Sequence, residues 1–171
     1  MSEIFFTPRV TWQYIVIAFV SVLSVFLTSS PWAHSYLIVN DILPNVPIIF
    51  VVYLAFVYPS RYGLPACVFV GFFSDSLSND PTGFYLLSFF ISFSAACFFR
   101  TILSPRDPGV QLLVLILVLI TKSIVEMILT AIFFEIGSGL ALIIKFGLPE
   151  IIYTSLVALF LYPILNFIYI D

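Results

Sequence analysis

Charge is scarce in this chain: only 9% of its 171 residues are charged, six Lys and Arg against nine Asp and Glu, while 62% are hydrophobic. Soluble domains carry roughly 45–50% apolar residues, and the buried fraction of a fold rises only slowly with length. A water-soluble fold of this size cannot hide so much apolar surface, and the mean hydropathy of +1.19 marks a polytopic membrane protein. The few cations leave a net charge of −3, with no basic patch to neutralise phosphates, so nucleic-acid binding is set aside. Histidine is limited to His34 and cysteine to Cys67 and Cys97, in no metal-ligand or CxxC spacing. That excludes a metal centre, a secreted disulfide framework and triad chemistry. No cofactor is implied, and no nucleophile stands beside a pair of titratable groups, so the chain reads as non-enzymatic.

What is present is a succession of apolar runs, which predict an all-α fold: a bundle of six transmembrane helices in one integral membrane domain, with no soluble domain. The spans fall at about 12–29, 45–59, 63–76, 81–99, 110–134 and 149–168. The first follows Arg9 like a signal peptide, but no small-x-small cleavage site follows in Ser29-Ser30-Pro31-Trp32, so it reads as an uncleaved helix. Trp32 and Tyr36 suit the membrane interface. In the third span, Gly63 to Ser74 supplies 12 residues before Asp75, about 18 Å of helix against a hydrocarbon core of about 30 Å. Asp80 and Pro81 read as N-cap and first residue of the fourth span. Residues 140–146, after Gly137-Ser138-Gly139, are too short to cross and read as interfacial or re-entrant. Pro163 is expected to bend the last span near its end.

The loops set the orientation. Arg9, Arg61, Arg100 and Arg106 occupy alternate loops, whereas 29–45, 75–82 and 135–139 have no Lys or Arg. Basic loops stay cytoplasmic, so both termini are expected in the cytoplasm; Lys145, on the outer side, runs against the pattern and would snorkel or pair with Glu150.

Two groups of polar residues interrupt the apolar runs. Lys122 and Glu126 lie four apart in the fifth span and share a face. A lone charge at mid-bilayer costs at least ~2.5 kcal/mol, so the pair should face the bundle interior. It is either a structural ion pair or a polar site for substrate, proton or partner; with no second charged face to continue a relay, structure is favoured. The other group is Gly71-Phe-Phe-Ser-Asp75-Ser-Leu-Ser-Asn79-Asp80-Pro81-Thr-Gly83. An acid at the end of the third helix meets the negative end of that helix dipole. Asp75 therefore needs donors, and the free amides at the start of the fourth helix are the candidates, with Gly71 one turn earlier allowing close approach.

Gly71-x-x-x-Asp75 followed eight residues later by Gly83 at the head of a helix, with Pro81 between, resembles the signature of the bacterial rod shape-determining MreD family. The likeness extends to the length, six spans, a proline-initiated second helix and the internal Pro163. Two positions depart from the family pattern: Asn45 stands where Asp is common, and Asn79 where Gly is common. Asn tolerates the left-handed backbone that Gly supplies. The resemblance implies a non-enzymatic inner-membrane scaffold of the cell-elongation machinery that makes peptidoglycan. Such a scaffold would sit among membrane lipids, bind an MreC-like single-span partner by helix packing, and work indirectly with the MreB filament and a peptidoglycan polymerase and transpeptidase. The alternative is a substrate-binding membrane subunit of a vitamin-type, energy-coupling-factor-like transporter, which would need several convergent polar groups.

Overall fold

The computed structural model describes residues 19–26, 28, 43–57, 63–78, 80–103, 107–134 and 147–170. Among these the chain is helical, with no strand: α1 (19–26), α2 (Val46–Val57), α3 (Gly63–Leu77), α4 (Phe84–Leu103), α5 (Pro108–Phe134) and α6 (Leu148–Ile170). Three of them, α4, α5 and α6, are long and apolar enough to cross a membrane. The 12 residues of α2 and 15 of α3 rise only about 18 and 22 Å, short of a hydrocarbon core. Asn79, His34, Trp32, Tyr36, Arg9, Arg61, Arg106, Lys145 and the segment 140–146 lie outside the described residues.

α2 is the axis of the bundle. Its sequence VPIIFVVYLAFV has no polar face, and ten of its residues are buried, from Pro47 to Phe56. A helix apolar all round belongs where every side is covered, and α2 packs against α3, α4, α5 and α6. Asn45 starts it: its Oδ1 accepts from the Ile48 amide at 3.3 Å, which satisfies one of the orphan donors of the first turn. At the other end the Arg100 guanidinium donates to the Ala55 carbonyl at 3.2 Å, a cation on the exposed carbonyls of a helix C-terminus.

The remaining helices bury one side each. In α4 that side is Phe84, Ser88, Phe89, Ser92, Phe93 and Ala96, recurring every three or four residues, with adjacent pairs at 88/89 and 92/93, as a helix face requires. α6 buries Thr154, Ala158, Tyr162 and Leu165 and leaves Ile152, Leu156, Phe160, Ile164 and Phe167 bare, a face suited to lipid. Hydroxyls on the bare faces are bonded back to their own helices, Ser76 to the Phe72 carbonyl at 2.8 Å and Ser94 to that of Phe90 at 2.9 Å. In hydrocarbon such groups have no water to turn to.

Contacts at both ends fix the helix directions. Asn45 meets Thr154 and Tyr53 meets Tyr162, so α2 and α6 run parallel. Lys122 meets Glu150 and Gln111 meets Asn166, so α5 runs against α6. Ser88 bonds Glu126 while Arg100 reaches Ala55, which aligns α4 with α2. The N-termini of α2, α4 and α6 therefore share one end of the bundle.

Candidate functional site

At that shared end the α3–α4 connection closes a tight helical hairpin. A Cβ at Gly71 would stand 2.7 Å from the Leu86 Cα, so the two backbones touch at a separation that only glycine permits. Four residues on, Asp75 reaches across the turn. One carboxylate oxygen, Oδ1, accepts from the Tyr85 amide at 2.8 Å, and Oδ2 accepts from Gly83 at 3.1 Å and Leu86 at 3.2 Å. The fourth early amide, Phe84, donates to the Pro81 carbonyl at 3.1 Å. All the orphan donors that begin α4 are thus satisfied, and the carboxylate sits where the helix dipole favours a negative charge. This is the tie between the two helices that the position of Asp75 calls for.

Two local expectations are corrected here. α4 begins at Phe84, not at Pro81; Gly83, at a φ of +95°, precedes it, and its carbonyl accepts the first helical bond from Leu87. The cap expected of Asp80 is made by Asp75, and the Asp80 carboxylate lies near the Tyr85 side chain instead. A short-range cap loses because the chain reverses: the carboxylate ending α3 arrives directly over the amides, whereas Asp80 lies in the turn beside them. Pro81 keeps a role as the acceptor for Phe84.

At the same end of the bundle, starting at Ser88 within a turn of Leu86, lies the second polar group. Lys122, 3% exposed, donates to Glu126 Oε2 at 2.8 Å and to Glu150 Oε1 at 3.0 Å. Ser88 of α4 donates to Glu126 Oε1 at 3.1 Å, and the Asn45 amide group donates to Glu150 Oε1 at 3.1 Å. The Asn45 backbone N–H also reaches Thr154 Oγ1 at 3.0 Å. The pair expected within one helix is thus a cluster joining α2, α4, α5 and α6.

No family model, curated protein or solved structure matches the chain.

The cluster closes electrostatically from its own parts. Two carboxylates and one ammonium leave a formal excess of one negative charge. The N-termini of α2 and α6 point into the same place, and each supplies about half a positive elementary charge. Glu150 lies in the first turn of α6, and Asn45 caps α2, so both helix ends face the excess. Every member has a partner within hydrogen-bonding distance, the condition for a buried charge to be tolerated.

The sequence pointed to Lys122 and Glu126 and passed over Glu150, Asn45 and Ser88. In the sequence Glu150 stands at the head of the last span as a candidate partner for Lys145, and Asn45 ahead of the second span as a departure from the family pattern. The available signal was general: each is a polar residue beside or within an apolar run, and in hydrocarbon such a residue must find a partner. Among the described residues no three His, Cys, Asp or Glu side chains gather to hold a metal.

Proposed function

We propose that the chain is a non-enzymatic scaffold of the MreD type, with six spans in the bacterial inner membrane and both termini in the cytoplasm. In this reading it holds an MreC-like single-span protein by transmembrane helix packing and so joins the cell-elongation machinery. The observation that carries the reading is the α3–α4 hairpin. Gly71, Asp75 and Gly83, the residues on which the resemblance rests, act jointly: one permits backbone contact with Leu86, one caps α4, and one adopts the positive φ before it. The spacing Gly-x-x-x-Asp, then Gly eight residues later, is therefore the spacing of one rigid device rather than three unrelated polar interruptions.

The buried cluster supports a scaffold over a substrate-binding subunit. Lys122, Glu126 and Glu150 are spent on one another and on Asn45 and Ser88, and a fixed bundle is what a partner helix needs to read by shape. The test is co-expression in a rod-shaped bacterium with an MreC-like single-span protein. The wild-type chain should co-purify that protein from detergent, and depletion should round the cells. Asp75→Ala should lose both effects. Retention of a vitamin by the purified chain, with no co-purification and no change of cell shape, would overturn the proposal.

A further inference from the structure

Among the described residues both ion pairs belong to Lys122, and Arg100 has no carboxylate partner. The bond it does make is to a neutral group, the Ala55 carbonyl at 3.2 Å, which uses one of the five N–H donors of a guanidinium. Ala55 is fully buried and lies two residues before the end of α2, so the bond draws the guanidinium under that helix. Arg100 itself is half-buried. A cation held at this depth with most of its donors unspent needs an anion.

Short helices leave room for one. α3 and α4 run antiparallel, with Gly71 against Leu86 and Asp75 over the amides of Gly83 and Tyr85. By that register Gly63, the first residue of α3, comes level with about Ser94, whereas α4 runs on to Leu103. About 13 Å of α4 therefore extends past the start of α3. α2 stops at Val57, close to the Arg100 contact, so neither helix continues over this stretch. Cys97, Arg100 and Thr101 follow Leu86 by close to whole numbers of turns, and so share the face that α3 covers higher up. Thr101 is exposed, its hydroxyl turned back to the Phe98 carbonyl at 2.7 Å. The result is a notch at the Arg100 end of the bundle, below α2 and α3, with a guanidinium on its wall.

In a membrane the anion available at such a place is a lipid phosphate. We infer that the notch binds an anionic phospholipid, its phosphodiester on the N–H groups of Arg100 that Ala55 leaves unused and its headgroup drawn up under α3. The planar fork of a guanidinium matches phosphate oxygens in pairs. A zwitterionic lipid carries its own cation near the phosphate and gains less, so the site selects for net negative charge. The inference requires the chain to lie in a membrane and is independent of the scaffold reading.

The test is native mass spectrometry of the detergent-purified chain, titrated with phosphatidylglycerol and with phosphatidylcholine of the same acyl chains. The first phosphatidylglycerol should bind about tenfold tighter than the first phosphatidylcholine, the factor that one charge-assisted hydrogen bond contributes. Arg100→Gln should abolish the difference, whereas Arg9→Gln, which removes the same charge elsewhere in the chain, should leave it intact. Thr101→Phe keeps the cation and fills the notch; it should also abolish the difference, and it decides the matter where Arg100→Gln fails to fold. Equal binding of the two lipids by the wild-type chain overturns the inference, as does an undiminished preference in Arg100→Gln or Thr101→Phe. A loss as large in Arg9→Gln marks general charge attraction and overturns it too. Millimolar inorganic phosphate should leave the lipid in place; displacement would make this a site for free phosphate rather than for lipid.

Discussion

Gly71 and Gly83 are both glycines for reasons that make different predictions. At Gly71 the obstacle is a neighbour: an added Cβ meets the Leu86 Cα at 2.7 Å, a backbone atom that no rotamer change can withdraw. Gly71→Ala should force α3 and α4 apart and cost about 1–3 kcal/mol, and Leu86→Ala should fail to rescue it because the Cα remains. At Gly83 there is open space around the missing side chain but a φ of +95°, so Gly83→Ala should cost about 1–2 kcal/mol in backbone conformation alone. Asp75→Ala should cost the most of the three, since the exposed Gly83 amide and the part-buried Tyr85 and Leu86 amides lose their acceptor together, and a hydrogen bond to a charged group contributes about 1.5–3 kcal/mol. Asp75→Asn keeps one acceptor oxygen and should fall between Asp75→Ala and wild type. Thermal unfolding of the detergent-purified variants, followed by the loss of a monodisperse peak in size-exclusion chromatography, gives this order directly. Equal midpoints for Asp75→Ala and wild type would show that the carboxylate does not hold the hairpin.

Where the helices lie was largely legible from composition; how they are joined was not. Long runs with few or no charges predict α4, α5 and α6, and the expected span at 63–76 compares with an observed α3 of Gly63–Leu77. Even the tie from Asp75 to α4 followed from asking which donors an acid at a helix C-terminus can find. The cluster was only half visible because its partners are distant in the chain: Lys122 meets Glu126 four residues away, but Glu150 at 28, Ser88 meets Glu126 at 38, and Asn45 meets Glu150 at 105. Helical periodicity relates residues within one element and is silent on pairs between elements. That distinction yields a prediction about the elements. Lys122→Met leaves two carboxylates facing each other without their cation and should destabilise by about 3–5 kcal/mol, the usual cost of breaking a buried pair from one side. Lys122→Met with Glu126→Leu and Glu150→Gln removes all three charges and should be markedly more stable than Lys122→Met alone. The comparison is read from unfolding midpoints of the two variants; a triple variant no better than the single one would mean that the bonds to Asn45 and Ser88, not the charges, hold the four helices.

At the scale of the whole molecule most of the described acids gather at one end, with Lys122 among them, and Asp107, just before α5, is the acid at the other. Asp75, Asp80, Glu126 and Glu150 gather where α2, α4 and α6 begin, and Arg100 lies at the opposite end of α4, in its last turn. Two independent rules ask for this arrangement. Helix dipoles favour acids at N-termini and bases at C-termini, and membrane insertion retains Lys and Arg on the cytoplasmic side. Because α2, α4 and α6 are parallel, the first rule favours acids at their shared end, and the second predicts which way that end faces: the Asp75 end outward, the Arg100 end toward the cytoplasm. Single cysteines placed at Ser78, beside the hairpin, and at Ser104, after α4, test this in intact cells on the Cys67→Ala, Cys97→Ala background. A membrane-impermeant maleimide added outside should label position 78 and spare position 104 until the membrane is opened. A fluorescent protein fused to the C-terminus should glow, as it does only when it folds in the cytoplasm. Labelling of position 104 from outside would invert the bundle, and with it the side on which any partner must meet the hairpin.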